Sequence, residues 1–163
     1  MAVFKGNIPS ASALRYWVCS KSSIAAYNGT VVYKIEPGGF MSQFCYIKNA
    51  VNSLNVNIKY IKSSLKEATV KVYCCSQDSK SDVTSVQYLD STSKFMDLSY
   101  DIDVSTDCAY ANIDIRNNSD KNLYIAAIEV DIHLSKTKET KNVNDFPKYA
   151  ITYGLDADKP ELR

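Results

Sequence analysis

The chain has 163 residues, a formal net charge of +1 and a hydrophobic share of 45%. That length suits one domain with a sizeable core. So balanced a charge supplies no field for nucleic acid or an anionic membrane surface, and no apolar run approaches the roughly 20 residues of a membrane helix.

Residues 1–13 are polar and irregular and read as an N-terminal arm. They lack the apolar stretch of a signal peptide, so export by that route is not expected. Leu14 to Ser20 is a candidate first strand, followed by Ser22 to Tyr27 and Thr30 to Ile35. Asn28-Gly29, between the last two, is a hairpin signal because both residues tolerate positive φ. Pro37-Gly38-Gly39 reads as a break in the chain. Phe40 to Lys48 is apolar on both faces, the pattern of a central strand covered on both sides.

Leu54, Val56, Ile58 and Tyr60 alternate with polar residues, and so do Val70, Val72 and Cys74. This is the period of a half-buried strand. Ser76 to Asp82 is a polar loop and Val83 to Leu89 a weaker strand. Met96, Leu98, Tyr100, Ile102 and Val104 share a face opposite Asp97, Ser99, Asp101 and Asp103. In the next strand Ala109, Ala111, Ile113 and Ile115 point one way; Tyr110, Asn112, Asp114 and Arg116 point the other.

After a polar turn, Leu123 and Ile125 share a face, but the inward set resumes at Ile128, Val130, Ile132 and Leu134. That phase step at Ala126-Ala127 implies one extra residue, a β-bulge. Residues 136–163 are charged and lack alternation outside Tyr149 to Tyr153, so they read as a C-terminal arm or linker. No segment keeps a helical period. Eight to ten strands within residues 14–135 predict an all-β domain, an antiparallel two-sheet sandwich.

The five cysteines have no C-x-x-C spacing, and His133 is the only histidine, so a zinc site is not expected. Cys74 and Cys75, being adjacent, point to opposite faces of a strand. With no export signal all five read as reduced thiols, one disulfide remaining the alternative. Asp97, Asp101, Asp103 and Asp107 suggest calcium by composition, but strand spacing spreads them too far for one ion. His133 reads as a surface residue beside Glu129 and Asp131. No nucleophile elbow, phosphate loop or metalloprotease motif is present, and no enzymatic activity or cofactor is expected. Asn28-Gly29-Thr30 and Asn117-Asn118-Ser119 fit the glycosylation pattern but read most simply as turns.

Four segments together, Lys62-Ser63-Ser64, Val70-Lys71-Val72, Asn117 to Ser119 and Tyr124 to Val130, resemble the jelly-roll fold of carbohydrate-binding modules, over roughly Thr30 to Leu134. The same fold occurs in β-sandwich domains of phage tail fibres, baseplates and capsid fibres. The resemblance implies a jelly roll and, in its sugar-binding members, stacking of a sugar on Trp or Tyr. The candidates here are Trp17 and the outward tyrosines Tyr73, Tyr88 and Tyr110. Ala126-Ala127 replaces the acidic pair common at that point in the family, which argues against a structural calcium ion.

A small chain with polar arms then reads first as a non-enzymatic bacteriophage virion subunit. Capsid decoration, head-fibre, baseplate and tail-fibre roles all fit. It would form a homo-oligomer, meet other virion proteins through residues 137–163, and expose loops to a host-surface glycan. The alternative is a carbohydrate-binding module for cell-surface or plant glycans, located in the cytoplasm or secreted without a classical signal.

Overall fold

Strands that are apolar on one side only must bury that side against another sheet. The structure, a computed structural model, describes residues 4–47, 51–75, 81–104 and 108–134. Within them eight antiparallel strands do this: β1 (Val18–Tyr27), β2 (Thr30–Tyr46), β3 (Val51–Lys62), β4 (Ala68–Cys75), β5 (Ser81–Tyr88), β6 (Met96–Asp103), β7 (Tyr110–Asn117) and β8 (Leu123–Leu134). The hydrogen-bonded order is β5-β4-β7-β2-β8-β3-β6, with β1 along β2.

The order is continuous because β2 serves two sheets. Its first half pairs with β8, Tyr33 opposite Ile125. Its second half pairs with β7, from Phe40 opposite Arg116 to Tyr46 opposite Tyr110. Sheet one is therefore β6-β3-β8-β2 and sheet two β5-β4-β7-β2. Tyr33, Ile35, Leu54, Ile58, Ile113 and Ile115 are fully buried between them. Each such side chain contributes about 1.5–3 kcal/mol of burial.

Asn28-Gly29 makes the expected hairpin, with φ of 50° and 77° and Tyr27 opposite Thr30. The expected bulge is also present. Lys59 pairs with Ala127 and Tyr60 with Ile125, which leaves Ala126 unpaired.

Other expectations are corrected. Leu14 to Ser20 is not one strand. Residues 11–14 form a single helical turn, α1 (Ala11–Leu14), because the Ser10 hydroxyl caps it by accepting from the Ala13 N–H at 3.0 Å. Pro37-Gly38-Gly39 does not end a strand but bends β2 internally. Ser20 pairs with Phe40 and Ser22 with Ile35, so the extra residues of β2 bow out beside Lys21. At Gly39 a Cβ would meet the Ser20 carbonyl at 2.7 Å and the Lys21 carbonyl at 2.9 Å. Of Phe40 to Lys48, the described residues 40–47 are not covered on both sides: the outward Phe44 and Tyr46 are exposed.

The cysteines are not all reduced. Cys74 and Cys108 form a disulfide, their Cα atoms 5.5 Å apart. Cys108 lies just before β7, whose register partner at the end of β4 includes Cys74, and that proximity puts the two within disulfide range. Cys74 and Cys75 do face opposite sides, opposite Ala111 and Tyr110.

Residues 4–13, read above as an arm, lie against the sandwich. Phe4, Ala13 and Trp17 join the core. The Gln43 amide grips the Lys5 backbone at both ends, accepting from its N–H and donating to its carbonyl at 2.8 Å each. The Tyr33 hydroxyl donates to the Gly6 carbonyl at 2.6 Å, and the Ile128 N–H to the Asn7 carbonyl at 3.0 Å. The C-terminal segment 136–163, most of the loop after β4, and Asp107 lie outside the described residues.

Candidate functional site

The outer face of sheet two is assembled by register alone. Tyr46, Phe44, Ser42 and Phe40 of β2 stand beside Tyr110, Asn112, Asp114 and Arg116 of β7. On the other flank of β7 are Cys75, Tyr73, Lys71 and Thr69 of β4. Beyond them the edge strand β5 adds Val83, Val86 and Tyr88. Outward side chains recur about every 7 Å along a strand and about 5 Å across strands. The result is one sheet face with Phe44, Tyr73, Tyr46 and Tyr110 toward one end, Phe40 and Tyr88 at the other, and Ser42, Asp114 and Lys71 between them.

Its aromatic rim is open to solvent. Phe44 is 66% exposed, Tyr88 60%, Tyr46 52% and Tyr110 43%. Tyr46 and Tyr110 sit side by side, ring centroids 5.0 Å apart and planes tilted by 44°. Exposed aromatic side chains grouped on one sheet face with polar groups among them are a feature that contact sites share.

The middle is ordered by its own hydrogen bonds. The Asn112 amide donates to the Ser42 hydroxyl at 2.8 Å and the Gln43 carbonyl at 3.0 Å. Arg116 donates from Nε and Nη2 to the two oxygens of the buried Asp114 carboxylate, at 3.3 and 3.4 Å. The same guanidinium lies over the Phe40 ring, 4.6 Å from its centroid. Two carboxylate oxygens and one ring thus orient it. Beneath the platform, burial pushes the Cys45 thiol up to about 11.

Three of the four residues anticipated from sequence lie on this face, Tyr73 and Tyr110 toward one end and Tyr88 at the other. Trp17 is elsewhere. It is 5% exposed, edge-on to Tyr33 at 6.3 Å, and its indole N–H points to the Gly6 carbonyl. Phe44 and Tyr46 were missed. Their signal was the two-sided apolar pattern of Phe40 to Lys48, which fits a strand with an exposed aromatic face as well as one buried twice.

The outer face of sheet one is different in kind. Asp97, Asp101 and Asp103 of β6 project with Asn55 and Asn57 of β3 and Glu129 of β8. The Asn55 amide donates to Asp101 at 2.7 Å. His133 is exposed on this face. Among the described residues no group of three or more His, Cys, Asp or Glu side chains converges as a metal site would.

No family model matches the sequence. No curated protein matches it either. Solved structures do. The enzymatically active domain of tailspike protein 4 of bacteriophage CBA120 aligns with a TM-score of 0.60 and 8% identity, over 74% of this chain and 20% of that one. A family 4 carbohydrate-binding module aligns at 0.54 and 10% identity, over 72% of this chain and 86% of that one. The CBM22-1 and GH10 modules of Clostridium thermocellum endo-1,4-β-D-xylanase 10B, complexed with xylohexaose, align at 0.55 and 8% identity, over 83% of this chain and 28% of that one. The likeness is one of fold. The chain is a jelly-roll β-sandwich of the kind found in carbohydrate-binding modules and in a phage tailspike domain. It spans about a fifth of the tailspike domain's length.

Proposed function

We propose that this chain is a non-enzymatic glycan-binding module whose site is the outer face of sheet two. The observation that carries the reading is the group of exposed aromatic residues Phe44, Tyr46 and Tyr110 at one end of this face, with Lys71 and the part-exposed Arg116 farther along it. A sugar ring offers C–H groups on its faces and hydroxyls on its rim. The faces pack on aromatic rings, and the rim pairs with amide and guanidinium groups. This face offers exposed rings at one end and, along the same face, the Arg116 guanidinium with N–H groups to spare. The carbohydrate-binding modules among the structural relatives support the same reading at the level of fold.

The test is a glycan array probed with the wild-type chain and with Tyr46→Ala/Tyr110→Ala. Expected is a defined set of glycans bound by the wild type and lost by the double variant, with both proteins equally folded by circular dichroism. An array blank with wild type, or unchanged by the double variant, overturns the reading.

A second reading, the virion subunit anticipated from sequence, draws on the tailspike likeness. Native mass spectrometry tests it. A stable homo-oligomer that falls apart on removal of residues 137–163 supports it, and a monomer counts against it.

A further inference from the structure

Lys71 and Asp114 stand directly opposite each other in the β4–β7 ladder, at the centre of the aromatic face. They are not an ion pair. Asp114 gives both its oxygens to Arg116. Among the described residues no carboxylate lies within ion-pair distance of Lys71. The described side chains of this face thus hold two cations, Lys71 and Arg116, against one anion, Asp114, an excess of +1. Sheet one has the opposite balance. Among the described side chains its outer face holds Lys34 and Lys59 against Asp97, Asp101, Asp103 and Glu129, an excess of −2, leaving aside Asp131, which has a partner of its own.

Asp114 on its own explains Arg116, but not Lys71. A lysine flanked by Val86 and Asp114 and facing solvent between aromatic rows has its charge available to whatever covers the platform. Arg116 likewise keeps donors to spare, since a guanidinium has five N–H groups and two are used here.

We infer that the aromatic face takes an acidic glycan, one bearing uronic-acid-type carboxylates, and that Lys71 is the residue selecting for charge. The inference rests on the glycan-binding reading above. Aromatic stacking holds the ring faces, and a sugar carboxylate replaces water at the Lys71 ammonium as a charge-assisted hydrogen bond. A neutral hydroxymethyl group in the same place leaves that ammonium to solvent. The negative face of sheet one repels the same polymer, so the field of the molecule favours approach by the platform side.

The experiment uses uronic-acid oligosaccharides and the same oligosaccharides with their carboxyls reduced to alcohols, titrated calorimetrically into wild type and Lys71→Gln. Expected is tighter binding of the acidic form by about fivefold, the affinity equivalent of one exposed ion pair. That preference disappears in Lys71→Gln, and in about 1 M salt, where the screening length is ~3 Å. Equal or tighter binding of the reduced form overturns the inference and leaves the glycan reading standing. So does a preference that survives Lys71→Gln. Failure to bind either form, together with a blank glycan array, removes both.

Discussion

The Asn117 side chain donates to the Ile35 carbonyl at 2.8 Å and so ties the end of β7 to the point where β2 bends. Its other N–H goes to the Lys121 carbonyl at 2.9 Å, and its oxygen accepts from the Ser119 N–H at 3.0 Å and the Ser119 hydroxyl at 2.6 Å. One fully buried amide thus serves a bend and a turn together. Asn117→Ala leaves buried donors and acceptors unpaired and should cost about 3 kcal/mol in a urea titration. A loss below about 1 kcal/mol would show that water takes over these bonds.

Gly39 and Gly29 make contrasting demands. Gly39→Ala puts a Cβ against two backbone carbonyls and should destabilise by about 3 kcal/mol. Gly29 has φ +77° but open space around it, so Gly29→Ala should cost only about 1 kcal/mol, the strain of a left-handed residue. Thermal melts of the two variants check the order, and equal losses would contradict the tight bend at residues 36–39.

The Cys74–Cys108 link closes a loop of sequence separation 34. On chain-entropy grounds its reduction should lower stability by about 3–4 kcal/mol. Cys108 is two residues from Tyr110, so the same treatment should weaken glycan binding more than Cys19→Ala does. Melting curves and binding with and without reductant read both effects.

Alkaline pH should destabilise the fold. Burial raises the pKa of Cys45 to about 11, and those of Tyr33, Tyr60 and Tyr100 as well. The folded chain therefore holds protons that the unfolded chain releases. This stability is fully present below pH 9 and is lost as pH rises through the folded values. Lys62 works in the other direction, because burial lowers its pKa. Urea midpoints should fall between pH 9 and 11, less steeply in Cys45→Ala. A flat profile in both proteins would contradict the burial of these groups.

Patterns internal to one strand were legible in the sequence. The step at Ala126-Ala127 gave the bulge, because a single extra residue flips every later side chain. The outward phase of Tyr73, Tyr88 and Tyr110 could be read in the same way. What depends on distant partners could not. Nothing near Gln43 says that it holds the Lys5 backbone. Trp17 resembles a binding aromatic only if Leu14 to Ser20 is a strand. The glycine bend inside β2 looked like an ending, because tight backbone packing and chain reversal use the same residues.

With β2 hydrogen-bonded into both sheets, neither sheet is a separable folding unit. Opening β2 from β7 disturbs the residues that hold β8, and the reverse holds as well. The domain should therefore unfold in one cooperative step, with hydrogen exchange in β7 and β8 converging on the same free energy. The part of the aromatic face built on β2 and β7 then has no softer, locally unfolding state of its own. It is as rigid as the whole protein, and whatever docks there meets a surface already shaped.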